Sequence, residues 1–295
     1  MSGFLLPLVN GLAQGSLLFI TAAGLTLVFG VMHVVNFAHG HFMMLAGYLM
    51  FSGVGALSSV GPWGLLALVV AAGIAVAALG AVTEVSLIRR LYGAGEMYMV
   101  LGTYGVLLVM QGVIEKVWGL NPVSVSIPDP LRGGVAVGGV ILPVYSIVLI
   151  LAGVIIAAGL ITILQRTGIG RTIRAAAADR DMTQALGVNV PLLYTAVFAV
   201  GALLAGIAGA LAAPPIALHV DLGVNFVIQA FAVVVVGGLG SVHGALIGAM
   251  LLGVMDSYLG FYFPILVGVS FYVVMATVLV VRPQGLFGQP IPRSW

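Results

Sequence analysis

Cysteine is absent from the 295-residue chain and lysine occurs once, at Lys116. The first absence excludes a disulfide framework and any thiolate metal site. The second excludes ATP binding through a P-loop, whose G-x-x-x-x-G-K-[ST] signature does not occur. Charge is scarce altogether: Asp, Glu, Lys and Arg make up 6% of the residues, against about 25% in an average soluble domain. Between Met1 and Thr83 there is none. A net charge of +2 comes from ten basic residues spread along the whole chain, so no basic face for nucleic acid is present. No H-E-x-x-H pair exists, and His39 and His41, two apart, would point to different faces of a helix. No metal site and no cofactor site is expected.

What the chain has is apolar length. It is 62% hydrophobic with a mean hydropathy of +1.25. Its apolar runs are continuous over about 20 residues, which fits membrane-spanning helices rather than barrel strands of about ten alternating residues. The expected fold is an all-α polytopic membrane protein, one transmembrane domain over 1–295 with broken helices. About nine crossings are expected, within a range of eight to ten: 5–29, 41–60, 63–88, 97–117, 142–165, 191–213, 225–237, 244–258 and 265–281. The two short runs 225–237 and 244–258 flank the glycine-rich GGLGSVHG and read either as a hairpin of short spans or as a re-entrant pair. GGLGSVHG follows a membrane segment and lacks the spacing of a nucleotide loop. The amino-terminal run carries no Lys or Arg before it and is interrupted by Asn10 and Gln14, so it reads as a retained first span and not a cleaved signal.

Arg89 and Arg90, the arginines of the 166–190 loop, and Arg282 with Arg293 all fall on one side of a nine-span chain. The positive-inside rule places that side in the cytoplasm, with the C-terminus inside and the N-terminus outside. The 118–141 loop is then external, and VAVGGVIL within it carries a hairpin signal around Gly138 and Gly139; an unstructured loop is the other reading. A polar break, His33 to Gly40, follows the first crossing, and a second, His219 to Asn225, follows the sixth. The halves 5–117 and 191–281 would be inverted copies, an arrangement recurrent in transporters, although two short polar breaks also coincide by chance.

Glu84, Glu115 and Asp256 lie near span ends, where each reads as a charge reaching an interface or a basic neighbour. The interior is otherwise neutral and polar. Single residues of this kind mostly bond between packed helices, but freed backbone at a helix break must be buried in protein or line a wet cavity. The candidates for a path or gate are therefore Gln14, His33, Asn36, His39, His219, Asp221, Asn225 and Gln229. Gly11 with Gly15, Ala202 with Gly206 and Ala210, and Gly244 with Gly248 have the spacing of tight helix packing.

The loop 166–190 is long enough for a short amphipathic helix. Ala175, Ala178, Met182, Ala185 and Leu186 would share one face, with Gly187 as a stop before Pro191. An alanine face is a poor lipid anchor and fits a protein groove better.

Three segments carry a resemblance to a known family: VNFAHGHFMMLAGY (35–48), GIGRTIRAAAADRDMTQALGVNV (168–190) and VVVVGGLGSVHGALIGAMLLGV (233–254). The chain resembles the permease subunits of branched-chain (hydrophobic) amino acid ABC importers, the LivH-like group, over essentially its whole length. The resemblance implies a non-enzymatic transport subunit in a bacterial or archaeal inner membrane. The implied partners are a second, similar permease as a heterodimer, two cytoplasmic ATPases that bind the ATP, and a periplasmic solute-binding protein. It also implies that 168–190 seats in an ATPase groove, as the EAA-type loop does. Arg171, Arg174, Ala178, Asp179, Arg180, Met182, Leu186 and Gly187 would then serve coupling. Ala-Ala-Asp179 stands where that motif has Glu-Ala-Ala. The implied solute is amino acid-like, branched-chain amino acids first. A passive channel or secondary transporter for a neutral solute such as urea or an amide is the rival reading.

Overall fold

Glycine and proline, rather than charge, punctuate the chain, and most helices start or stop beside them. The computed structural model describes residues 2–57, 60–137 and 139–288, so Arg293 lies outside the described residues. Its long helices are α1 (Ser2–Met32), α2 (His39–Ala56), α3 (Pro62–Leu91), α4 (Glu96–Trp118) and α6 (Val144–Arg166), with a helical turn α5 (Asp129–Arg132) between the last two. Two short helices follow, α7 (Gly168–Ala178) and α8 (Arg180–Ala185), and then α9 (Val190–Ala212), α10 (Leu222–Gly237), α11 (Val242–Tyr262) and α12 (Val269–Val281). Gly95 and Gly119, at φ 97° and 82°, bracket α4, and Gly238 at φ 103° ends α10. Pro62 and Pro191 sit in the first turns of α3 and α9, where their missing N–H costs nothing.

Six helices, α1, α3, α4, α6, α9 and α11, are long and apolar enough to cross a membrane. The chain is a multi-pass helical membrane protein. α2, α10 and α12 have 18, 16 and 13 residues. At ~1.5 Å per residue all three fall short of a ~30 Å hydrocarbon core, α2 by the least and α12 by the most. α11 is longer than its sequence reading because Leu259 to Tyr262 continue the helix; α12 starts later because Pro264–Leu266 forms a 3-10 turn ahead of Gly268.

Contacts at the two ends show that successive long helices alternate in direction. At one end Trp118 Nε1 donates to Ser52 Oγ (2.7 Å), Val123 and Leu218 exchange backbone hydrogen bonds (3.0 and 2.7 Å), and Tyr258 Oη donates to the Phe4 carbonyl (2.9 Å). At the other Gln165 meets His243 (3.0 Å), and the Leu286 N–H donates to the Val236 carbonyl (2.9 Å). The first is the hairpin end, since the loop after α4 carries antiparallel strands β1 (Gly134–Val137) and β2 (Val140–Pro143), in register Val137 to Val140. The hairpin forms where the sequence signalled it, with Gly139 at φ 80°. The opposite, segment end carries α7 and α8.

The core is built around α1 and α9. The apolar window of α1 is 83% buried, against 22% for α4 and for α6, which turn an apolar outer surface away from the bundle. α1 packs most extensively on α11, and α9 on α3. Small residues allow both approaches: a Cβ at Gly253 would lie 2.5 Å from Gly15 N, and one at Gly206 would lie 2.9 Å from Gly73 Cα. The small-residue spacing read from the sequence is thus packing surface.

Candidate translocation site

A cavity of about 910 Å³ opens in the hairpin half of the bundle, walled by α1, α2, α6, α10, α11 and α12. Its polar lining comes from Asn10 and Gln14 on α1, Ser146 on α6, Asn225 and Gln229 on α10, and Asp256 on α11; Leu17, Met43, Phe226 and Phe271 supply apolar wall. Gln14 Nε2 donates to Asp256 Oδ2 (3.1 Å), while the Gly268 N–H (3.0 Å) and Ser270 Oγ (2.7 Å) donate to Oδ1. Asp256 is therefore buried and held by neutral donors, and it forms no ion pair among the described residues. This differs from its sequence reading as a terminal charge near an interface. The connection between α11 and α12 folds the start of α12 back over it, and Gln14 reaches it from α1.

The structure divides the other path candidates. Gln14, Asn225 and Gln229 share the cavity, whereas His33 lines a smaller one at the segment end. Asn36 is buried and its Oδ1 accepts the Ala38 N–H (3.1 Å), a local turn that lets the chain leave α1 and enter α2. His33 makes that exit at φ 54°. His39 lies behind the cavity wall with Nε2 donating to the Thr21 carbonyl (2.9 Å); the acceptor assigns the proton to Nε2. His219 and Asp221 stand at the start of α10, 4.0 Å apart. The two polar breaks meet through backbone: a Cβ at Gly40 would lie 1.9 Å from the Gly223 carbonyl oxygen.

At the segment end the sequence predicts one amphipathic helix and the structure has two. Asp179 leaves helical geometry (φ −152°, ψ 104°) and caps the second, its Oδ1 accepting the Met182 N–H (2.9 Å); Thr167 caps the first through the Gly170 N–H (3.2 Å). Gly187, at φ 87°, stops the pair. Gly170, Ile173 and Ala176 face inward. Ala175, Met182, Ala185 and Leu186 face outward, the last 77% exposed, whereas Ala178, although exposed, borders the smaller cavity at this end. Arg171 is also exposed, and Arg174 donates to the Leu164 carbonyl at the end of α6.

Arg180 is placed by residues the sequence reading missed. Its guanidinium stands over the rings of Tyr92 (5.7 Å to the centroid) and Tyr194 (5.6 Å), which themselves meet edge to face. Tyr92 Oη donates to Glu84 Oε1 (2.7 Å), and burial, reinforced by that carboxylate, pushes the Tyr92 phenol up from its ordinary value. Glu84 opens a π turn, Glu84–Ile88, and pairs with Arg89 at 3.0 Å. Tyr92, Met99, Ala176, Arg180 and Tyr194 with Val31 to His33 enclose a cavity of about 320 Å³. The two short helices thus border one cavity with the ends of α1, α3, α4 and α9.

The family model for the permease component of branched-chain amino acid transport systems matches residues 8–282. The chain belongs to this family. The permease is 30% identical over 302 residues to the high-affinity branched-chain amino acid transport system permease protein BraD of Pseudomonas aeruginosa, covering 97% of this chain and 96% of the relative. It is 28% identical to LivH of Escherichia coli K12, with the same coverage. The ribose import permease protein RbsC of Escherichia coli K12 is 30% identical over 287 residues, 93% of the permease and 82% of the relative. No solved structure matches the permease.

Proposed function

We propose that the permease is a transmembrane subunit of an ATP-driven importer in the cytoplasmic membrane and that it carries branched-chain amino acids inward. The observation that carries this reading is the outward apolar stripe on α7 and α8, opposite the cavity and joined to four helix ends. A stripe of Ala175, Met182, Ala185 and Leu186 turned away from the rest of the chain suits a protein groove, here that of an ATP-binding subunit. Movement of α7 and α8 would reach α1 through His33, and α3 and α9 through Tyr92 and Tyr194. The cavity at the far end then alternates its access, with Gln14, Asn225 and Gln229 lining it. His33, Asn36, His39, His219 and Asp221 serve the joints that gate it.

In this reading the chain crosses nine times, with the hairpin end and N-terminus outside and α7 and α8 in the cytoplasm. α2, α10 and α12 complete the count. The inverted repeat is supported by the reciprocal packing of α1 on α11 and α9 on α3. The partners are a second permease as a heterodimer, two ATP-binding subunits and a periplasmic solute-binding protein.

The test is leucine uptake by the reconstituted complex in vesicles. Uptake that requires ATP and the binding protein is expected. Uptake that survives ATP depletion but collapses with the ion gradient would replace this reading with secondary transport, and co-purification without ATP-binding subunits would favour a channel.

A further inference from the structure

Asp256 has no part in the coupling route and belongs to neither polar break read from the sequence. Its side chain is nearly closed off, at 5% exposure, about 9 Å of helix rise inside the end of α11. Three neutral donors, Gln14, Gly268 and Ser270, orient it. A carboxylate offers about four lone-pair sites, so Oδ2, which accepts only from Gln14, retains one. Neutral donors hold an anion in place without cancelling its charge. In low-dielectric surroundings an uncompensated charge is costly, and a cation that reaches the free lone pair of the carboxylate relieves that cost. Among the described residues no Lys, Arg or His supplies one.

The same carboxylate lines the 910 Å³ cavity, whose remaining wall is largely apolar. We infer that Asp256 receives the ammonium group of a zwitterionic amino acid, with Gln14 fixing the carboxylate's orientation. An aliphatic side chain packs against Leu17, Phe226 and Phe271, and the amides of Asn225 and Gln229 are the donors left for the solute's own carboxylate. A sugar, urea or a neutral amide brings no cation and leaves Asp256 uncompensated. The inference rests on the transport reading and names the group that recognises the solute within that cavity.

The experiment uses the complete complex in vesicles with one binding protein for every arm, so that any change belongs to the cavity. Replacing one charge-assisted contact by a neutral one, Asp256→Asn should lower leucine uptake at subsaturating concentration about tenfold or more. Asp256→Glu should recover part of it, and ATP hydrolysis should persist in both. A wild-type complex that does not move leucine refutes the transport reading itself. Normal leucine uptake by both the wild type and Asp256→Asn overturns the ammonium role alone. Should the variant fail to assemble, wild-type complex treated with a hydrophobic carbodiimide supplies the second readout. Leucine should slow modification of Asp256, read by mass spectrometry, and its α-hydroxy analogue, which lacks the ammonium, should not. Equal modification with and without leucine, or equal protection by both solutes, overturns the inference.

Discussion

Thr195 donates a 2.6 Å hydrogen bond to the Glu84 carboxylate, joining residues 111 positions apart. Arg89 and Tyr92 converge on the same carboxylate, and Arg89 also reaches the Pro191 carbonyl (3.4 Å). The start of α9 is thereby fastened to the end of α3, one turn beyond the Asn189 cap that follows α8. The π turn at Glu84–Ile88 is part of this joint, since a widened turn shifts side-chain directions from those of a continuous α-helix.

Glu84→Ala should loosen that joint, because it leaves the Arg89 guanidinium and the Tyr92 and Thr195 hydroxyls without their shared acceptor. A fall in the melting temperature of the detergent-solubilised permease on the order of 5 °C is expected. Thr195→Ala, which removes one donor and leaves the ion pair, should fall by less. An unchanged melting temperature in Glu84→Ala would show that the joint holds nothing together.

Arg180→Lys keeps the charge but loses the planar group that lies against two tyrosine rings. Leucine uptake should drop severalfold while ATP hydrolysis by the complex stays near normal. The double reversal Arg174→Glu with Arg180→Glu should uncouple the two fully. Wild-type uptake in the double variant would remove both arginines from the route between the ATP-binding subunits and the helices.

The spans were legible because crossing a membrane demands apolar length, and length survives in sequence whatever the packing. The observed helices begin and end within about three residues of the apolar runs, apart from the ends of α2 and α11 and the start of α12. The break at Asp179 was legible in principle, since Asp favours a cap over a helix interior; the alanines on either side masked it. Asp256 was not. Its burial depends on Gln14, 242 positions away, and no periodicity along the chain records such a meeting. Asn36 shows a second limit: its side-chain oxygen accepts the N–H of Ala38, a turn-forming role that the polarity of a break does not reveal by itself.

Gly253→Ala and Gly105→Ala should have opposite effects on stability. The first puts a Cβ 2.5 Å from Gly15 N and 2.6 Å from the Gly11 carbonyl oxygen, where neither backbone can yield cheaply. A cost of about 1–3 kcal/mol is expected. The second adds a methyl to α4 with nothing within 4 Å, and helix propensity favours it by about 1 kcal/mol. Thermal unfolding of the two variants in the same detergent measures the difference, and equal stability would contradict the α1–α11 contact.

The absence of cysteine makes the native chain its own background for testing the proposed nine crossings. Leu120→Cys, beyond α4, and Leu186→Cys, beyond α8, replace residues 72% and 77% exposed at opposite ends of the bundle. An impermeant maleimide added to intact cells should label the first, and inverted vesicles should label the second. Leu239→Cys decides how α10 and α11 run, because it occupies the turn between them and is half exposed. If both helices cross the bilayer, the turn shares the segment side and is labelled only in inverted vesicles. If they form a re-entrant pair, the turn lies at membrane depth and its labelling follows a water-filled path from the hairpin side, so intact cells would react. That outcome would reduce the crossings from the proposed nine to seven.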